Sequence, residues 1–329
     1  MSGTERSALA LGIEIGGTKL QTALVDAAGR VHERVADRVD PAGGAAGIRA
    51  ALAGQLVRAV GAARARGIPL AAAGVGFGGP VDRASGVVAT SFHVGGWGKF
   101  PLGPWVAGEL AGLGEEVPVL LENDSSAAAL GEALAGAGRG ERVVVYSNAG
   151  SGIGAGLVID GAPYHGRPSG EMELGHVRLD RGGGILEELA AGWAIDRRVR
   201  DAVAADPAGA LARGAAASGG PPSARLLPAA LAAGDATAGA ILDEAAGRYA
   251  HALAHVVQLL NPDVIVLGGG VAALGEAWRE RVARHIEPLL MEPFRPGPPV
   301  RLAALGEDVV PVGAALAALR STRGMHYDP

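Results

Sequence analysis

The sequence predicts an α/β protein made of two copies of one unit with a cleft between the copies. A strand–glycine turn–strand pattern occurs twice, at Gly16 and again at Gly150, roughly 135 residues apart. Apolar runs of strand length alternate with stretches of helical period, as sheets covered by helices require. The chain has 329 residues, which fits two domains at roughly 150 residues each.

In chain order, Ala8 to Ile15 is an apolar strand that feeds Gly16-Gly17-Thr18-Lys19. Leu20 to Val25 and a third strand near Arg30 to Val35 continue it as a meander, the second bend being Asp26-Ala27-Ala28-Gly29. Ala45 to Arg66 has helical spacing, and Ala71 to Gly76 is a buried strand ending in Phe77-Gly78-Gly79-Pro80. Pro118 to Leu121 is a short strand, followed by Glu122-Asn123-Asp124 and the alanine-rich helix Ser125 to Ala137. The pattern then restarts with Arg142 to Ser147, the turn Asn148 to Gly152, and Ile153 to Ile159 closed by Asp160-Gly161. Leu186 to Leu260 is mainly helical, interrupted by a loop around Ala208 to Ser223. Val264 to Leu267 is a strand entering Gly268-Gly269-Gly270, with a helix after it.

Composition excludes several classes. Hydrophobic residues make up 49% and charged residues 19%, against the low hydrophobicity and high net charge of a disordered chain. A balance of 29 basic and 34 acidic residues offers no basic face, so no nucleic-acid partner is expected. Cysteine is absent, which removes disulfides, thiolate metal sites and a cysteine nucleophile. The longest apolar stretch, Ala252 to Val271, is broken by Asn261, Pro262 and Asp263, which are costly in a bilayer. With no signal-peptide pattern in the first ten residues, the expectation is a cytoplasmic protein without a membrane partner.

Glycine turns after strands can aim backbone N–H groups at phosphate oxygens. Gly16-Gly17-Thr18-Lys19 adds a hydroxyl and an ammonium, Gly150-Ser151-Gly152 offers a second cradle, and Gly268-Gly269-Gly270 lets a flat nucleotide approach the backbone. One such turn alone is a weak signal, and three after apolar strands make a stronger one. Asp124 at a helix start has two readings that the residues alone leave open: an N-cap, or a carboxylate at a cleft edge that takes a proton from a substrate hydroxyl. Glu173-Leu174-Gly175-His176 is either a surface loop or a hydrogen-bonding edge for a polyol, and Glu187 heads the next helix as an acid matched to its dipole.

These residues converge on a family. The run Gly12 to Lys19 resembles the first phosphate loop of the ROK sugar kinases, a branch of the actin-like ATPase superfamily. Five further segments fit the same family in order: Gly76 to Asp82, Glu122 to Asp124, Gly150 to Gly156, Glu173 to His176, and Asn261 to Gly270. The resemblance covers residues 9 to 320. It implies duplicated actin-like ATPase (ribonuclease H-like) domains with an interdomain cleft: a small one over 1–122 plus 311–329 and a large one over 123–310. It further implies that Asp124 is the base taking the proton of the sugar 6-hydroxyl as it attacks the γ-phosphate of ATP, and that Gly78, Gly79, Asn123, Glu173, His176 and Glu187 line the sugar pocket. ATP would be held by Gly16, Gly17, Thr18, Lys19, Gly150, Ser151, Gly152, Gly268, Gly269 and Gly270, with Mg2+ carried on ATP near Glu14. A homodimer or homotetramer is the common family state.

The chain departs from the family pattern in places. Glu14 stands where aspartate is usual, and Ser151 where threonine is usual. Many members carry a zinc-binding cysteine cluster after the histidine, whereas this chain reads Val177 to Ile185 without one, so no zinc is expected. Glucose is the default substrate of the resemblance, with an amino sugar such as an N-acetylhexosamine or kanosamine, fructose or a sugar-like cyclitol as alternatives. Polyphosphate in place of ATP is a further alternative. Family regulators resemble this chain with a winged helix-turn-helix in front, and the first strand starts too early for one, so a sensor is the lesser expectation. The stretch Ser91 to Trp97 is unusual and borders the expected pocket, and its Trp97 either packs on a sugar face or is a core or lid tryptophan.

Overall fold

The structure is a computed structural model that describes residues 8–91, 94–167 and 170–324. Phe92 and His93, in the unusual stretch before Trp97, lie outside the described residues. The first half of the chain supplies β1 (Leu9–Ile15), β2 (Lys19–Val25), β3 (Val31–Arg38), α1 (Gly44–Ala65), β4 (Leu70–Phe77), the short pair β5 (Val81–Asp82) and β6 (Val87–Val88), α2 (Leu102–Gly112), β7 (Val119–Asn123) and α3 (Asp124–Ala135). The second half supplies β8 (Val143–Ala149), β9 (Ile153–Ile159), β10 (Ala162–Pro163), α4 (Leu186–Ala190), α5 (Gly192–Ala205), α6 (Ala210–Ser218), α7 (Leu227–Ala232) and the long α8 (Ala236–Leu260). It closes with β11 (Val264–Gly268), α9 (Gly269–Ala272), α10 (Glu276–Ile286), β12 (Val300–Leu302) and α11 (Val309–Thr322).

The two large sheets have one topology. The first runs β3-β2-β1-β4-β7 and the second β10-β9-β8-β11-β12. In the first, β1–β2–β3 is an antiparallel meander and β1, β4 and β7 are parallel. In the second, β10 pairs antiparallel with β9, and β8, β11 and β12 are parallel. Three meander strands followed by two parallel additions, made twice, are the duplication expected from the sequence.

The chain divides into two compact units, 1–142 with 156–172 and 304–329, and 143–155 with 173–303. Helix α3 and the segment 156–172, which the sequence assigned to the larger domain, therefore pack with the first unit. In that unit α1 lays Ile48, Leu52, Leu56, Ala59, Val60 and Ala63 on one side of the sheet, where they join Leu11, Ile13, Val75 and Phe77. Trp97 is buried there, edge-on to Phe77 and Phe100 at 5.3 and 5.6 Å, which decides for the core reading of this residue. The opposite side takes α11, and the approach is close: a Cβ on Gly12 or Gly74 would overlap the carbonyls of Pro311 and Ala314. Only glycine lets helix and sheet backbones meet at that distance.

In the second unit α8 and α10 pack together through Tyr249 and Trp278, with ring centroids 5.4 Å apart. The loop expected around 208–223 instead contains α6, which buries Leu211 and stops at Gly219 in the left-handed conformation. Its glycines and alanines hide a short helix whose only strong signal is one apolar anchor.

Candidate active site

In the first unit the sequence-predicted residues converge at the carboxyl ends of β1, β4 and β7. Gly16 N–H donates to Lys19 O at 2.9 Å and closes the β1–β2 turn. Gly78 N–H donates to Ile15 O at 2.9 Å, which draws the end of β4 against that turn. A Cβ at Gly78 would lie 3.6 Å from Gly16 Cα and 3.3 Å from Asp124 Oδ2. Gly16, Gly78 and the Asp124 carboxylate thus share one small space, and a cavity lined by Gly16, Gly17, Gly78, Ser91 and Trp97 opens beside them.

Asn123 and Asp124 divide the work at the start of α3. Asn123 is the N-cap: its Oδ1 accepts from Ser125 N and Ser126 N at 2.9 and 3.1 Å. Its Nδ2 donates to Gly79 O at 3.3 Å, tying the cap to the second pocket glycine. Asp124 is the first helical residue, and its Oδ1 accepts from Ser125 Oγ at 3.3 Å. The cap reading of Asp124 is therefore replaced, because the neighbouring asparagine holds that position.

Lys19 reaches back from β2 to Glu14, Nζ to Oε2 3.0 Å, and donates to Glu307 O at 2.7 Å. Burial raises the Glu14 carboxyl above its ordinary range, Lys19 opposes this, and the Asp124 and Glu307 charges add to the rise. Glu14 and Asp124 carry hard carboxylate oxygens, the donor type that magnesium takes.

The second unit gathers the other predicted residues. Gly150 N–H donates to Gly152 O at 2.8 Å to make the second glycine turn, and Gly192 N–H at the head of α5 donates to Gly150 O at 2.9 Å. Glu187 lies over this turn: its Oε2 accepts from Ile153 N at 2.8 Å, and a Cβ on Gly152 would stand 2.7 Å from it. A Cβ on Gly150 would lie 3.8 Å from Gly270 N, so the glycine triplet abuts the same turn. Gly268 ends β11, while Gly269, with φ +78°, and Gly270 open α9. Ser151 is exposed. Leu174–His176 is a turn of 3-10 helix whose Gly175 is pressed on Ile153 O, and it leaves the Glu173 and His176 side chains exposed.

The segment that replaces the cysteine cluster is held by hydrogen bonds. Arg178 and Ile185 form an antiparallel bridge, Leu186 N–H donates to Val177 O at 2.9 Å, and Asp180 Oδ1 accepts from Gly182 N at 2.9 Å. With no cysteine in the chain, a thiolate zinc site cannot form.

The sequence reading missed a charged cluster directly behind Asp124. Glu122, buried at the end of β7, is paired with Arg83 at 2.9 Å and faces His165 at 3.5 Å. His165 also faces Glu171 at 3.4 Å, and Glu171 accepts from Ser126 Oγ at 2.6 Å. Of its members only Glu122 stood in a segment the sequence singled out, Glu122-Asn123-Asp124, and nothing local ties it to Arg83, His165 or Glu171.

Residues 10–321 match the ROK family. The chain belongs to the ROK family. A family glucokinase from Thermotoga maritima is 30% identical over 93% of this chain and 95% of its own. A kanosamine kinase from Amycolatopsis mediterranei is 33% identical over 80% of each chain. Among solved structures, a ROK family glucokinase from Streptomyces griseus in complex with glucose and AMPPNP superposes with a TM-score of 0.78 at 28% identity, covering 95% of this chain and 100% of that one. As a family member with such relatives, the chain is a sugar phosphotransferase. No helix of the described residues is long and apolar enough to cross a membrane.

Proposed function

We propose that this kinase transfers the γ-phosphoryl group of ATP to a hexose hydroxyl, the 6-hydroxyl of a glucose-like sugar, with Asp124 as the general base. The observation that carries this reading is the division of labour at α3, where Asn123 takes the cap and Asp124 sits beside Gly16 and Gly78. The sugar oxygen attacks the γ-phosphorus, its proton passes to the Asp124 carboxylate, and ADP leaves. Phosphoryl transfer is chiefly a matter of positioning and charge neutralisation, which suits a site of glycine turns, one lysine and few acids. The Gly16–Lys19 and Gly150–Gly152 turns bind phosphate oxygens through backbone N–H groups, and Gly268–Gly270 takes the adenosine. Mg2+ bound with ATP would neutralise charge on the phosphates, and Glu14 would be the carboxylate nearest to it.

Gly78, Gly79, Asn123, Glu173, His176 and Glu187 are the sugar contacts of this reading. A second reading, an amino sugar as acceptor, is favoured by the kanosamine kinase relative. Coupled ADP release with Mg·ATP against hexoses, amino sugars and cyclitols tests both. A strong response to glucose supports the first, and a response confined to amino sugars supports the second. Silence across the panel with sugar binding still present contradicts both.

A further inference from the structure

The cluster behind Asp124 forms one continuous line of contacts. Arg83 Nε stands 2.9 Å from Glu122 Oε2, the same oxygen faces His165 Nε2 at 3.5 Å, and His165 Nδ1 faces Glu171 Oε2 at 3.4 Å. Glu171 Oε2 then accepts from Ser126 Oγ at 2.6 Å in the first turn of α3. Glu122 also accepts from the N–H of Asn123 at 3.0 Å. The two residues before Asp124 and the second residue after it are thus all touched by this line. The Glu122 and Glu171 side chains are 1% and 6% exposed, and that of His165 16%.

The chemistry of the line says what it does. Arg83 Nε, Glu122 Oε2 and His165 Nε2 are buried atoms that meet without a hydrogen bond of regular geometry. The imidazole fills the space between two carboxylates, one facing each ring nitrogen. Removing the ring leaves two buried acids opposed across the gap it filled, and that strain falls on the first turn of α3. The ligand atoms of Glu122, His165 and Glu171 also lie within 4.8 Å of one another, as a metal site would need. The Arg83 guanidinium, 2.9 Å from Glu122 Oε2, already gives that oxygen a cation.

We propose that Arg83, Glu122, His165, Glu171 and Ser126 form a brace that sets the position of Asp124 for phosphoryl transfer, His165 and Glu171 being positioning residues that act through the first turn of α3. The proposal rests on the reading of Asp124 as the base. Displacing a reacting group by a fraction of an ångström costs turnover while leaving nucleotide binding alone. Burial pushes the Glu122 carboxyl up to about 7, against the pull of His165 and Arg83 and with that of Glu171. Its proton therefore joins or releases the brace near neutral pH. The groups facing it are Arg83 after β5, His165 and Glu171 from the segment after β10, and its neighbour's N–H.

The test compares His165→Gln, Glu171→Gln, their double variant, Glu122→Gln and Asp124→Asn in the full chain, with Mg·ATP and the responding sugar across about pH 5.5 to 9. Each single brace variant is expected to lose about tenfold in kcat, with KM for ATP within about twofold and the fold retained by thermal melting. The double variant is expected to lose no more than the worse single, because both break one line. Glu122→Gln is expected to turn over slowly and without the change near pH 7 that the native protein shows. Wild-type kcat and pH profile in these variants, alongside an inactive Asp124→Asn, would overturn the brace alone. Near-native turnover in Asp124→Asn would overturn the base reading and the brace with it. Thermal stabilisation by Zn2+ alone that disappears in His165→Gln would make the cluster a metal site and overturn the proposal.

Discussion

Asp124 differs from the acids around it in what holds it. Glu122 is buried and paired with Arg83, Glu14 is paired with Lys19, and Asp124 stands at a helix start beside Gly16 and Gly78, its Oδ1 accepting from Ser125 Oγ at 3.3 Å. Asp124→Asn keeps size and shape, so the fold and its melting temperature should stay while kcat falls by about 10²–10⁴. Steady-state assay beside thermal melting checks this. Glu122 makes a separate prediction about stability. Its folded pKa, about 7, lies above its ordinary 4.5, so the folded protein holds a proton that the unfolded chain has released. The stability this gives is full below the ordinary value and is lost as pH rises through 7. Denaturant melts of the native protein should therefore weaken between about pH 5 and 7.5 relative to Glu122→Gln, in which that contribution to the slope is absent.

At the scale of elements, the start of α3 and the seat of α11 decide whether the site exists. Asn123→Ala removes two accepted N–H bonds and should cost about 1 kcal/mol, seen as a lower melting temperature. Asn123→Asp keeps the acceptor and should recover most of it. Gly74→Ala would drive a methyl into the Ala314 carbonyl of α11 and should unfold the first unit or cost several kcal/mol. Gly54→Ala, in α1 with open space around it, should instead stabilise by about 0.5–1 kcal/mol. Urea melts of the two variants give opposite shifts if this packing is right. The glycine turns and their strands were legible in the sequence because each is a local pattern. The cap was half legible: Asn123 and Asp124 are both good cap residues, and only the backbone shows which one serves. The brace was not legible, since Arg83, Glu122 and His165 meet through long-range folding. Helix α6 was hidden by residues that suit a loop as well as a helix.

At the scale of the molecule, the duplicated sheet order was readable from two glycine turns, yet the membership of α3 and of 156–172 was not. Those segments follow the boundary in sequence but pack with the first unit: α3 seats on α11 at Gly131 and Gly313, and 156–172 lies against α3 at Gly156 and at Glu171, which accepts from Ser126. The absence of cysteine carries a whole-molecule consequence. The segment 177–185 is closed by a bridge between Arg178 and Ile185 and holds no thiolate, so metal analysis should find no stoichiometric zinc. EDTA should stop turnover by removing Mg2+ without lowering the melting temperature, and added Mg2+ should restore activity. A fall in melting temperature on chelation would point to a structural ion. The measurement that bears most directly on the central claim is ADP release by the native protein and by Asp124→Asn, with Mg·ATP and a panel of hexoses, amino sugars and cyclitols. The account predicts one strong acceptor for the native protein and a loss of at least about a hundredfold in kcat for the variant on that acceptor. An Asp124→Asn protein that turns the same acceptor over at a near-native rate would contradict it.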